Sequence, residues 1–108
     1  MNIEILREYC LSKPEVEECL PFGPDTVVYK VKGKIFALAN LDGELSVNLK
    51  SEPSLAIELR EEYPAVTPEW HMNKKHWNTI MADGSVPDKL FFSWIDHSYT
   101  IVSGAAKK

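Results

Sequence analysis

The sequence predicts a single α+β domain, residues 1–108, built as a two-layer sandwich with helices packed on an antiparallel sheet. Three observations carry that reading. Apolar residues recur at helical spacing near the start, in the middle and at the end of the chain, and short runs of alternating β-branched and aromatic residues lie between them. These runs are joined by Gly and Pro turns rather than by crossover helices, which makes the sheet antiparallel. With 108 residues, 44% of them hydrophobic and 26% charged, the chain has the size and composition of one domain with one packed core.

The elements follow in order. Asn2 is placed to cap a first helix over residues 3–12, with Ile3, Leu6 and Cys10 on one face and Glu4 and Glu8 away from it. Pro14 ends it. After the turn-rich Pro21-Phe22-Gly23-Pro24-Asp25, residues 26–32 alternate as a half-buried strand with Val27, Tyr29 and Val31 on one side. Lys32-Gly33 is a tight turn, residues 34–39 and 44–50 are two further strands joined through Leu41-Asp42-Gly43, and the three form a meander. Ser51 or Glu52 caps a second helix opened by Pro53, where the missing N–H costs nothing, with Leu55, Ala56, Leu59 and Tyr63 facing inward. Beyond Pro64, Val66, residues 70–72 and residues 77–81 predict short strands around a loop centred on Asn73-Lys74-Lys75. Ser85, Pro87 and Asp88 resemble the start of a last helix reaching about residue 103, striped by Phe91, Ile95 and Val102 and supported by Leu90, Trp94 and Ile101.

Composition excludes several function classes. The N-terminus lacks the basic start and apolar run of a secretory signal, and no stretch approaches the roughly 18 to 20 apolar residues of a membrane helix. Cys10 and Cys19 do not form a C-x-x-C pair and read as reduced, small apolar residues. The expected setting is the cytoplasm, without a membrane role. Net charge is −4, which opposes nucleic-acid binding on average, yet the charge is patterned. Residues 1–25 hold six acids and two bases, 26–51 two and four, 52–70 five and one, and 71–108 three and five. Positive charge is concentrated in two segments.

Little in the sequence points to catalysis, and no cofactor or metal is expected. None of the five glycines forms a P-loop or G-x-G-x-x-G fingerprint, and His71, His76 and His97 lack the spacing of a zinc site. A thiol–imidazole pair of Cys10 with His71 or His76 is opposed by the position of Cys10 on an apolar helix face, where a buried thiol is inert. Glu15, Glu17 and Glu18 read as a solvated acidic face. Trp94 is a core residue, and strand alternation sends Trp70 and Trp77 to a single face, where large aromatics most often fill the interior.

Pro21-Phe22-Gly23, Gly33-Lys34-x-Phe36-Ala37, the segment HMNKKHWNT at 71–79, Asp83-Gly84-Ser85-Val86-Pro87-Asp88 and Ser98-Tyr99 occur together in this order. As a set they resemble the MmcQ/YjbR family of small bacterial proteins, described as predicted DNA-binding proteins with a double-wing motif. The resemblance runs from about residue 3 to 103. It implies a fold similar to the frataxin-like sandwich, with hairpins as wings. This chain departs from the family where Glu69-Trp70 precede His71, which puts an acid beside the implied contact surface.

The physics of DNA binding can be stated from the residues themselves. Lys30 and Lys32 are expected on one strand face with Lys34 across the turn, and Lys74 and Lys75 project from the second loop, giving two basic hairpins to straddle duplex backbone. Five neutralised phosphates predict a log–log salt slope of roughly −4 to −5. Asn73 and Asn78 are candidate amide donors to phosphate or base edges. The same residues also fit a purely architectural role, with lysines blunting strand edges and His71, Asn73, His76, Trp77 and Asn78 fixing the loop. The expected function is therefore a non-enzymatic, monomeric, double-stranded-DNA-binding protein. The alternative is a protein-interaction or chaperone-like module with a protein partner, and a third reading places a ligand pocket among His71, His76 and Trp77.

Overall fold

The computed structural model describes residues 1–69 and 72–104. The chain runs α1 (Ile3–Leu11), β1 (Val16–Cys19), β2 (Thr26–Val31), β3 (Lys34–Asn40), β4 (Ser46–Lys50), α2 (Pro53–Glu62), β5 (Val66–Pro68), β6 (Trp77–Met81) and α3 (Asp88–Ser103). The six strands form one antiparallel sheet in the order β1-β2-β3-β4-β6-β5. All three helices lie over one face, α3 across β2 to β4, α2 over β5 and β6, and α1 beside β1. The α+β sandwich expected from the sequence is the architecture observed.

The alternation that predicted the strands also divides their side chains. Val27, Tyr29, Ala37, Ala39, Val47, Leu49, Ile80 and Val66 point into the helix layer, where Leu6, Leu59, Phe91 and Ile95 meet them. Burying one such aliphatic side chain is worth about 1.5–3 kcal/mol. Asn2 caps α1 as expected, its Oδ1 accepting from the Ile5 N–H at 2.8 Å. At α2, Glu52 occupies the cap position without a side-chain bond, and Pro53 opens the helix. At α3, Ser85 is not the cap; its N–H and Oγ–H donate to Asp83 Oδ1 at 2.9 and 2.6 Å, closing the turn before the helix instead.

Strand β1 was hidden in the sequence by its acids. Its four residues, VEEC, pair with β2 so that Glu18 stands opposite Tyr29 on the helix side. Glu18 is therefore not part of a solvated acidic face, as expected, but a bridge: it accepts from Tyr29 Oη at 2.9 Å and from Arg7 Nε at 2.9 Å. Burial first, then the Glu18 contact, holds the Tyr29 phenol above its usual range. A second tie joins α1 to α3: Tyr9 stacks on Phe92 at 4.0 Å, donates to Asp96 at 2.7 Å, and shares Asp96 with Lys13. Tyr99 donates to the Pro14 carbonyl at 2.7 Å, fixing the chain as it leaves α1.

Two features shape the middle of the sheet. Phe36 is an extra residue in β3, because Tyr29 pairs with Ala37 while Lys30 pairs with Ile35. Just beyond the last β3–β4 partners, Ala37 and Leu49, the fully buried Ser98 hydroxyl stands between the strands, accepting from Lys50 N–H at 2.9 Å and donating to the Phe36 carbonyl at 2.6 Å. At the β2–β3 turn Lys32 has φ +53 and Gly33 φ +78, so the strand ends at Val31 and the pair makes a left-handed turn.

Candidate nucleic-acid interface and the open sheet face

The topology sorts charge along the strand direction. The β2–β3 turn, the end of β4, the end of β5, the start of β6 and the C-terminus of α3 all lie at one end of the sheet, which gathers Lys32, Lys34, Lys50, Lys74 and Lys75 against the acids Glu15, Glu52 and Glu69. The other end, where β2 and α3 begin and α2 finishes, carries Asp25, Asp42, Glu44, Glu62, Asp83 and Asp88 against Lys89. A net-acidic chain thus folds into a molecule with one cationic end. Strands are spaced by about 4.8 Å, so two to three spacings put the β2–β3 turn ~10–14 Å from the β6 loop. That is comparable to the ~12 Å width of the B-DNA major groove.

The residues expected to contact DNA do not all remain available. Lys32 does not share a strand face with Lys30; its Nζ donates to the Ser103 carbonyl at 3.1 Å, where a cation meets the C-terminal dipole of α3. Lys30 is half-buried on the opposite sheet face, directly across from Glu17 of β1. Asn78 is not a surface donor: at 2% exposure it faces the helices and gives its Nδ2–H to the Ala56 carbonyl at 3.1 Å. Asn73 is exposed, but its Oδ1 accepts from Lys75 N–H at 2.9 Å, and its carbonyl accepts from His76 and Trp77 N–H at 3.0 and 2.8 Å. It is the scaffold of the turn. Lys34, Lys74 and Lys75 are exposed, and Arg60 braces the loop of the last two by donating to the Lys74 carbonyl at 2.8 Å. Lys50 was missed by sequence reasoning; the signal was its place at the end of a strand whose alternate residues, Ser46 and Asn48, face away from the helices.

The aromatic and imidazole expectations resolve similarly. His76 is half-buried and its carbonyl receives Ser51 N–H at 2.7 Å. Trp94 is in the core and Trp77 is buried, the latter on the side away from the helices because it shares the parity of Thr79. Trp70 and His71 lie outside the described residues. Cys10 is buried, and burial pushes its thiol up to about 12, with Lys13 pulling weakly the other way, so it is inert.

The sheet face away from the helices holds a concavity of about 510 Å³ that the sequence reading did not foresee. Its floor is the row of side chains opposite in parity to the core, including Ile35, Leu38 and Ser46, and Phe22 and Met72 stand at its walls. Ser46 and Asn48 are 8% and 6% exposed although no helix covers them, and Glu69 and Met72 stand beside them on this face. Glu69 directly follows β5. Its Oε2 accepts from Asn48 Nδ2 at 2.6 Å and from Thr79 Oγ1 at 3.3 Å, and Thr79 Oγ1 also lies 2.8 Å from Asn48 Oδ1. The acid that seemed out of place before His71 is thus built into a pocket wall. No three His, Cys, Asp or Glu among the described residues form a metal-holding group, and no described helix is long and apolar enough to cross a membrane.

Comparison with known proteins agrees with this architecture. The YjbR family model matches residues 11–101. The uncharacterised protein YbdF of Escherichia coli O157:H7 is 38% identical over 107 residues, covering 97% of this chain and 88% of that protein. The uncharacterised protein YjbR of Escherichia coli K12 is 36% identical over 100 residues, covering 92% and 85%. Among solved structures, the Deinococcus radiodurans protein DR2400, with its DUF419 domain, superposes with a TM-score of 0.91 at 34% identity, covering 99% of this chain and 82% of that one. A Pseudomonas syringae protein superposes at 0.83 with 27% identity, covering 94% and 99%. On sequence and fold together, the chain belongs to the YjbR family.

Proposed function

We propose that the chain is a non-enzymatic protein that binds double-stranded DNA through its phosphate backbone, using the cationic end of the sheet. The observation that carries this reading is the segregation of charge along the strand axis, which converts a net charge of −4 into a molecule with one end suited to a polyanion. The β2–β3 turn presents Lys34, the β6 loop presents Lys74 and Lys75, and Lys50 lies between them. With Lys32 committed to α3 and Lys30 facing Glu17, four contacts remain, and the expected log–log salt slope is about −3 to −4. Binding is largely independent of sequence, because Asn78 is engaged within the fold and Asn73, whose Oδ1 accepts from Lys75 N–H, keeps only its amide donors for a base edge.

Fluorescence anisotropy with a labelled duplex at low ionic strength tests this. Saturable binding with that slope, abolished by Lys74→Glu with Lys75→Glu, supports it; no binding at low salt, or binding unchanged in the double variant, overturns it. One observation favours a second reading on the same surface. Ile57, 53% exposed, lies in a groove with Pro53, Arg60, Lys74 and Lys75, and an apolar side chain among cations suits an acidic protein partner. A salt-sensitive protein complex without duplex retention selects that reading.

A further inference from the structure

Ser51 Oγ, Asn78 Oδ1 and His97 Nε2 are buried polar atoms with no hydrogen-bond partner among the described residues. They come from separate parts of the chain: the link between β4 and α2, strand β6 and helix α3. All three residues line one small cavity between the sheet and the helices, whose other walls include the apolar Leu59, Ile80 and Trp94. A buried polar group without a partner is costly, and folded proteins hold few of them. Their convergence on the same cavity points to one shared ligand rather than to separate defects.

The size of the cavity and the chemistry of its polar atoms select that ligand. About 10 Å³ is open to the centre of a water-sized sphere, close to the ~10–15 Å³ that one water molecule needs and far below the space an organic ligand occupies. The Asn78 amide has a fixed orientation, because its Nδ2–H donates to the Ala56 carbonyl at 3.1 Å, and this leaves Oδ1, an acceptor only, to be satisfied. The Ser51 hydroxyl both donates and accepts, and His97 Nε2 does one or the other according to the ring tautomer. A water molecule meets all three demands. It donates to Asn78 Oδ1, accepts from Ser51 Oγ–H, and uses its remaining hydrogen or lone pair on His97 Nε2. A metal ion is a poorer match, since no acid or thiol is among the described residues that line the cavity.

We propose that this cavity is the binding site of a single water molecule that joins α3, β6 and the link between β4 and α2. Its place in the fold gives it a positioning role. His97 precedes Ser98, whose hydroxyl keys α3 to Lys50 N–H and the Phe36 carbonyl, so consecutive residues hold the helix, one directly and one through water. On the opposite side, Ser51 N–H donates to the His76 carbonyl at 2.7 Å at the entry to β6, the strand that carries Asn78. The water thereby backs the base of the loop that presents Lys74 and Lys75, neither of which lines the cavity. The site is independent of the DNA reading.

A crystal structure of the full chain tests the proposal, with oxygen-17 relaxation dispersion as the measurement in solution. The expected map has one ordered water about 2.7–3.2 Å from each of Ser51 Oγ, Asn78 Oδ1 and His97 Nε2. The expected dispersion shows one long-lived water fewer in Ser51→Val, whose branched side chain replaces the hydroxyl and fills the site, than in the wild type. If Ser51→Val does not fold, the near-isosteric Asn78→Leu serves in its place. A cavity without density, density of a metal ion, or a direct bond between Ser51 and Asn78 that closes the cavity overturns the proposal. So do equal numbers of long-lived waters in the wild type and a folded variant.

Discussion

Ser98→Ala tests the account of how helix α3 is keyed to the sheet. The Ser98 hydroxyl occupies the place where the next rung of the β3–β4 ladder would form, one step past Ala37 and Leu49, and passes a hydrogen bond from Lys50 N–H through itself to the Phe36 carbonyl. It is 0% exposed, so water does not replace it. Alanine removes both bonds and leaves a backbone donor and acceptor facing each other across a gap. An unsatisfied buried polar group costs about 1–3 kcal/mol, and losing the need to bury the hydroxyl offsets part of the pair, giving an expected loss of ~2–4 kcal/mol. Against a typical total of ~5–15 kcal/mol that is a large fraction. At ~4–8 °C per kcal/mol for a domain of this size, the melting temperature falls by roughly 10–30 °C. Urea unfolding followed by circular dichroism reads the change, with the slope preserved as evidence that the native state stays compact. Ser93→Ala, on the exposed side of the same helix, is the control and is expected to change stability by no more than ~0.5 kcal/mol. A loss below ~0.5 kcal/mol for Ser98→Ala refutes the reasoning, because it means β3 and β4 close directly over the vacated position.

Asn78→Ala is expected to cost ~0.5–1.5 kcal/mol by removing its Nδ2–H bond to the Ala56 carbonyl, which keeps Arg60 Nε as a donor, while duplex binding per folded molecule stays unchanged, which separates it from the lysine variants in the anisotropy assay. An Ellman titration of the native chain is expected to report one fast thiol, the half-exposed Cys19, with Cys10 reacting only in denaturant. Stability is expected to erode at alkaline pH. Cys10 is raised from 9.0 to about 12 and Tyr9 from 10.0 to about 12, each chiefly by burial, so the native state favours their protonated forms. Their contribution is complete below pH 9 and is lost as pH rises toward about 12; chemical denaturation at stepped pH measures it, and a flat profile from pH 8 to 11 contradicts it. At the acid end, Asp83 is held below its ordinary value by the Ser85 hydroxyl and N–H, so this turn's small contribution disappears only as pH falls below the usual carboxylate range; two-dimensional NMR titration of Asp83 tests it.

What was legible in the sequence was whatever obeys a local period. The β2–β4 meander and the three helices declare themselves because their inward residues, Val27 to Val31, Leu55 to Leu59 and Phe91 to Ile95, repeat at two or about 3.6. Strand β1 was illegible because its inward acid, Glu18, is stabilised by Tyr29 and Arg7, partners that only the fold brings together. Asn78 failed for the same reason: nothing near it in sequence announces that the Ala56 carbonyl waits across the layer. Lys32 continued the alternation of β2 on paper, yet Gly33 forces a left-handed turn that swings it to α3. The open-face pocket was half legible. The floor follows from strand parity, whereas the walls come from Phe22, Glu69 and Met72, which no periodicity places there.

The segment that most resembles the family has mainly architectural work, and this decides what membership can say about function. Asn73 organises the turn, His76 receives Ser51 N–H, Trp77 is buried on the open side, Asn78 on the helix side, and Thr79 joins Asn48 and Glu69. A one-residue slip of β6 would exchange Asn78 with Trp77 and Thr79, uncoupling both the Ala56 contact and the pocket wall. Asn73 and residues 76–79 of the motif are therefore accounted for by the turn and the register, and they would be required whether or not the protein ever met DNA. The proposed DNA contact rests instead on its two exposed cations, Lys74 and Lys75, which explains why charge reversal at those two positions is the decisive variant. It removes the surface proposed for the polyanion and leaves in place the bond that Asn73 Oδ1 accepts from the residue 75 N–H and those that Asn78 and Thr79 donate.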